Sequence, residues 1–313
     1  MYKEYKENKP IDLSPYDHPD VYPGPRPISS FIYYEGKAHR IIEKMGVSIE
    51  DLKVEYSDSD NMLGSFHERS DHTLSIGDFL HEQELPPIEE RVPLVAYGSN
   101  VCLAQLRYKF SLNRKLNDFV LCLRGSMLDS DIIYGSFLAP YGSLPAVIAP
   151  VKDAITEIWL TFVEPAQLEH MNRTEGGYVL REHHGKKFIT ATGEQFETIY
   201  AYYYPHAFEF DQQWYRFKDI RGNSSITAKW QAEILDLING EFGFKGTREE
   251  FLHQLRWNIP FYRELQNWLK QFDAQFDHPD WEEPKVIETV GDLRRTFLST
   301  KSPESEQLLS IYK

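Results

Sequence analysis

The chain carries only two cysteines, Cys102 and Cys122, in 313 residues. Two thiols build no disulfide framework, so a packed core has to hold the fold, and a reducing, cytoplasmic compartment is expected. Basic residues are also in deficit: 34 Lys and Arg face 48 Asp and Glu, a net charge of −14. That balance disfavours nucleic acid, whose phosphates need cations, and anionic membrane surfaces. No run of ~18 apolar residues occurs, so no transmembrane helix is expected. The opening segment MYKEYKENKPIDL lacks the apolar stretch of a signal peptide. Internal repeats are absent. No His-Glu-x-x-His helix occurs, and Gly135-Ser136 and Gly142-Ser143 are not nucleophile elbows.

What is present belongs to a globular chain: 41% hydrophobic and 26% charged residues. Residues 1–30, rich in Pro, Asp and Tyr, show no periodicity and suggest an extended arm. HRIIEKM, stopped by Gly46, suggests a short helix, and Ser75-Ile-Gly-Asp78 resembles a helix start. The polar span EYSDSDN suggests a loop. From Val92 short apolar runs follow one another: VPLVAY, FVLCLRG, DIIYGSFLA, LPAVIAPV, TEIWLTFV, then Tyr178–Glu182, Lys187–Ala191 and Thr198–Tyr204. β-Branched and aromatic residues dominate them, with Gly and Pro between, which predicts a strand-rich domain. TATGEQ suggests a hairpin between the last two. Helices are expected over Val101–Phe110 and Pro165–Met171. After about residue 206 the pattern turns helical. Ile226 to Ile238 recur at helical spacing until Gly240, Thr247–Glu250 forms a capping box, and Pro260 opens another helix. A last short helix is expected near 290–298. The organisation expected is an extension over 1–90, a strand-rich domain over 91–205 and a helical segment over 206–313.

Chemistry concentrates at Tyr97-Gly98-Ser99-Asn100, where an apolar strand ends and a helix begins. A glycine there can take φ > 0 and admits a close ligand. Unpaired helix amides at a positive dipole end suit a carboxylate or phosphate. The plain alternative is an ordinary strand–helix turn capped by Ser99 or Asn100. Downstream, Glu175 stands before Gly176-Gly177 and a strand beginning at Tyr178. It either faces a ligand or is a solvated loop acid. Cys102, at the mouth of the helix, is a candidate nucleophile without a placed histidine partner. His183-His184 is a candidate metal pair without further ligands.

AYGSN after a strand, followed 78 residues later by the segment LEHMNRTEGGY, resembles the γ-glutamylcyclotransferase-like family. The span LPAVIAPVKDAITEIWLTFVEPAQLEHM between them is similar in its strand–Pro–strand–helix order and in Trp159. The likeness covers about 92–205. The chain departs from the family in reading KDAIT and WLTF where glycines usually flank the strand Trp. The resemblance implies an α+β fold: a small mixed β-barrel with flanking helices, here with an N-terminal arm and a helical C-terminal extension. It implies cleavage of a small-molecule γ-glutamyl amide by cyclisation to 5-oxoproline, with no cofactor and no metal. On that pattern the amides of Tyr97, Gly98, Ser99 and Asn100 bind the α-carboxylate, Glu175 is the general base, and Tyr178 hydrogen-bonds the substrate. The rival expectation is a non-catalytic carboxylate-binding or interaction module on the same fold.

Overall fold

The computed structural model describes residues 11–55 and 73–284. Most of EYSDSDN and the helix expected near 290–298 lie outside the described residues. The fold is mixed α+β, as expected. Among the described residues no helix is long and apolar enough to cross a membrane.

β1 (Phe31–Tyr34) and β2 (Lys37–Ile42) form a hairpin. Its turn residues Glu35 and Gly36 hold φ at 49° and 73°, the geometry that matches strand twist in a two-residue turn. Asp118 fixes the turn by accepting from both amides at 2.9 Å. β2 overturns the helix expected over HRIIEKM: Ile41 is buried and Ile42 exposed, and over so few residues apolar spacing fits either period. β3 (Lys53–Glu55) and β4 (Thr73–Ser75) continue the sheet. α1 (Ile76–Glu82) starts as expected, with the Ser75 hydroxyl accepting from the Asp78 amide at 3.0 Å.

β5 (Val92–Ala96) and α2 (Leu103–Ser111) precede the two longest strands, β6 (Val120–Tyr134) and β7 (Ala146–Val163). The four short runs expected here are two continuous strands. The polar letters LDSD and VKDA are a bulge rather than chain breaks. Pairing slips between Leu128 and Ser130, Asp129 and Asp153 take positive φ, and the Asp153 amide donates to Asp129 Oδ1 at 3.0 Å. A bulge bends a hairpin without ending it. α3 (Pro165–Asn172), β8 (Val179–His183), β9 (Phe188–Thr190) and β10 (Ile199–Tyr203) follow. TATGEQ folds back on itself at Gly193 and bridges Ile189 to Gln195. It does not pair β9 with β10, because β9 joins β6 and β10 lies between β5 and β8.

The chain beyond 205 is not helical at once. β11 (His206–Phe210), β12 (Gln213–Phe217), β13 (Gly222–Asn223) and β14 (Thr227–Lys229) come first. Then come α4 (Gln231–Phe242), α5 (Arg248–Trp257), α6 (Ile259–Trp268) and β15 (Asp273–Gln275). Gly240 is passed inside α4, which ends instead at Gly243 in the left-handed conformation, φ 72°. The capping box at Thr247–Glu250 starts α5 as expected.

The main path of the sheet runs β4-β3-β2-β1-β6-β7-β5-β10-β8 and is open. The small closed barrel expected from the family resemblance is therefore corrected. The edge of β6 that would have to meet β8 is already taken, by β1 at Phe31–Tyr33, by β9 at Phe188–Thr190 and by β12 at Arg216. Both faces of the sheet are covered. Val120 and Cys122 of β6 pack with Leu103, Leu106 and Phe110 of α2 and with Leu168 of α3. Leu121 and Leu123 belong to the opposite core, with Phe79 of α1, Leu235 of α4 and Phe251 of α5. Cover on both faces explains why these strands are apolar throughout.

The segment after β15 is anchored by His278, whose Nε2 lies 3.0 Å from Ser130 Oγ. Burial pushes the His278 imidazole down to about 4. Between the ordinary histidine value of about 6.5 and that value the unfolded chain binds a proton that the native protein refuses, so stability falls as pH falls through this window. The difference corresponds to about 3 kcal/mol at most. Urea midpoints at pH 7 and pH 4.5 should therefore differ more in the native sequence than in His278→Gln. An equal difference would remove His278 as the cause.

Candidate functional site

Tyr97 directly follows β5, and Ser99–Val101 forms a single 3₁₀ turn before α2. The loop differs from the expected one in two respects. Gly98 sits at φ −95°, not at positive φ. Glycine is needed there because a Cβ would fall 2.9 Å from Tyr22 Oη, and that hydroxyl is held by the Ala146 amide at 2.8 Å. The first amides of α2 also do not face an open site. Those of Ala104 and Gln105 point at Cys102 Sγ. The amides of Gly98, Ser99 and Asn100 make no hydrogen bond among the described residues. A Gly98→Ala variant has to displace the buried Tyr22, so a loss of about 1–3 kcal/mol is expected in a chemical melt. An unchanged midpoint would mean that Tyr22 yields freely.

Glu175 follows α3 in a turn closed by Gly177 at φ 93°. Its amide donates to Asn172 O, and its carbonyl accepts from Tyr178 N. This turn carries the carboxylate across to the loop. Tyr97, Gly98, Ser99, Asn100, Glu175 and Tyr178 all line one cavity of about 90 Å³. At ~15 Å³ for each water that is room for roughly six, more than a packing defect.

Side chains not foreseen from the sequence complete the cavity. Lys109 of α2 is buried, contacts Glu175 Oε1 and donates to Asn100 Oδ1 at 2.6 Å. Asn100 Nδ2 also donates to Glu175 Oε1, at 3.2 Å. Glu175 Oε2 accepts no hydrogen bond among the described residues. Lys109 was legible only as one of several helix cations. It sits one turn after Gln105, and both are buried although the apolar stripe of Leu103, Leu106 and Phe110 points elsewhere. The arm contributes Tyr16 and Tyr22, α2 contributes Tyr108, and the β6–β7 loop contributes Tyr141. Nothing periodic in the arm signals this. Burial raises the phenols of Tyr16, Tyr97, Tyr141 and Tyr178 well above the ordinary tyrosine value, with the Glu175 charge adding to it. The Tyr97 hydroxyl donates to Tyr202 O, and the Tyr178 hydroxyl to Ala146 O at 2.6 Å. Both tyrosines therefore present rings to the cavity with their hydroxyls already engaged.

The other candidates stand elsewhere. Cys102 is fully buried against Leu13 O, and burial pushes its thiol up to about 11, the opposite of an activated nucleophile. His183 packs edge-on against Trp281, and His184 pairs with Glu182. Ser136 Oγ donates to Asp273, and Ser143 Oγ donates to Pro19 O.

In chemical terms the cavity is lined by a loop whose Gly98, Ser99 and Asn100 amides make no hydrogen bond among the described residues, by a carboxylate whose Oε2 accepts none among them, and by a lysine that holds that carboxylate in place. Such a set can bind an anion and move a proton at a fixed point beside it. Comparison of the chain with protein-family models, curated proteins and solved structures gave no match in any of the three.

Proposed function

We propose that this cavity cleaves a γ-glutamyl amide by intramolecular cyclisation. The observation that carries the reading is that Glu175 and the Gly98–Asn100 loop line one cavity, with Asn100 Nδ2 donating to Glu175 Oε1 and Oε2 accepting no hydrogen bond among the described residues. The α-carboxylate of the substrate sits on those amides. The α-ammonium meets Glu175 Oε2, while Lys109 and Asn100 hold Oε1. Glu175 takes a proton, the freed amine attacks the γ-carbonyl carbon, and the bond from that carbon to the leaving nitrogen breaks. Both protons lost by the attacking nitrogen end on the leaving amine, the first carried by Glu175. The other product is 5-oxoproline. Holding a glutamyl chain folded for five-ring closure can supply up to ~7–11 kcal/mol of the barrier. On this reading the open sheet is a variant of the cyclotransferase-like architecture, with the core strand–loop–helix order kept.

The test is release of 5-oxoproline from γ-glutamyl amides by the purified full chain. Release supports the enzyme. A second reading, a carboxylate-binding module, is favoured by one contact: Lys109 already neutralises Glu175, so the pair can serve as a fixed wall of a binding site. Calorimetric binding of the same amides without release would favour it over the enzyme.

A further inference from the structure

The part of the cavity away from Glu175 is walled by aromatic rings that the arm brings in. Tyr16 is tilted on Tyr108 at 4.8 Å between ring centroids and meets Tyr141 edge-on at 4.9 Å. Tyr22 stacks on Tyr141 at 5.8 Å. Phe137 and Pro140 continue the same wall. Tyr16, Tyr108 and Tyr141 are only half-buried, so ring surface remains open to a ligand.

Charge decides what that wall accepts. Among the described residues, Lys109 and Glu175 are the only charged ones lining the cavity, and they are paired with each other. A leaving group that carries a carboxylate, as every α-amino acid or peptide does, would have to enter the aromatic wall without a cation of its own. Burying an unpaired carboxylate is strongly unfavourable. Taking Lys109 from Glu175 instead would leave Glu175 unpaired, which is costly for the same reason. A leaving group with its own cation would meet the positive charge of Lys109 in the same small space. An uncharged ring has neither difficulty, and offset or edge-on contact with a tyrosine adds ~0.5–1.5 kcal/mol beyond its area.

We infer that the amide nitrogen of the substrate carries an uncharged arylalkyl group, its ring seated between Tyr16, Tyr108 and Tyr141 until the amine departs, so that the substrate class is a γ-glutamyl arylalkylamide rather than a γ-glutamyl amino acid. The inference rests on the cyclisation reading above. It gives the N-terminal arm the task of setting specificity, since Tyr16 belongs to the arm and Tyr141 packs on Tyr22.

The experiment compares 5-oxoproline release from γ-glutamylbenzylamide, γ-glutamylmethylamide and γ-glutamylalanine. The expected result is a kcat/KM for the benzylamide at least tenfold above that for γ-glutamylalanine. In Tyr141→Leu the benzylamide-to-methylamide ratio should drop at least tenfold. If that variant does not fold, Tyr16→Leu serves the same comparison. Release from γ-glutamylalanine equal to or faster than from the benzylamide overturns the aromatic subsite and leaves the cyclisation reading standing. An unchanged ratio in the folded tyrosine variant also overturns it. No release from any of the three overturns the cyclisation reading and this inference with it.

Discussion

Glu175→Gln should lower 5-oxoproline release by about 10²–10⁴-fold, the usual contribution of a positioned general acid/base, or about 3–5 kcal/mol of barrier. The amide keeps an oxygen for Asn100 and Lys109 but cannot take a proton from the substrate ammonium. The loss should fall on kcat, with KM changed little, because the carboxylate-binding amides of Gly98–Asn100 are untouched. Steady-state kinetics on a γ-glutamyl amide checks this. Activity within a few-fold of the native protein would take Glu175 out of the chemistry and leave it as the partner that orients Lys109.

Asp131→Ala should lower the unfolding free energy by about 3–5 kcal/mol, the typical cost of removing one partner from a buried ion pair. Asp131 is fully buried. Its Oδ2 accepts from Arg216 Nε at 2.7 Å, and its Oδ1 accepts from Thr156 Oγ1 at 3.1 Å and from the Ile132 amide at 2.8 Å. The substitution strands a guanidinium that is itself nearly buried. Urea unfolding followed by tryptophan fluorescence measures the loss. The double variant Asp131→Leu/Arg216→Met should recover most of it, because the cost comes from the unpaired charge and not from absence of the pair. A double variant as unstable as the single one would argue that the hydrogen bonds to Thr156 and Ile132 matter more than the charge.

The sequence was informative where chemistry and local geometry coincide. The Tyr97–Asn100 turn, Glu175 and Tyr178 are short-range features, and all six residues line one cavity. Ser75 and Thr247 start helices as their side chains predict. Long-range pairing was not legible. Polar letters at Asp129 and Asp153 look like chain breaks, yet they sit in a bulge inside an unbroken hairpin. Closure of the sheet depends on which strand takes the free edge of β6, and nothing local to β1, β9 or β12 states that. The β11 and β12 strands are hidden by aromatic residues that suit helix and strand alike, and β13 and β14, of two and three residues, are too short to show a period. Lys109 was missed because burial of a cation is a property of its neighbours, here Asn100 and Glu175, and not of its own segment.

The aromatic wall also has a history in time. Arg248 of α5 holds Asp20 of the arm through two hydrogen bonds, at 2.9 and 3.0 Å, across 228 residues. Arg256 donates to Tyr16 O from the same helix. The arm leaves the ribosome 228 residues before Arg248. A nascent chain that has released the strand-rich middle already carries the Gly98 turn and Glu175, but it has nothing to pin Tyr16 and Tyr22 over them. The arm side of the cavity thus acquires its shape only when α5 has emerged and docked.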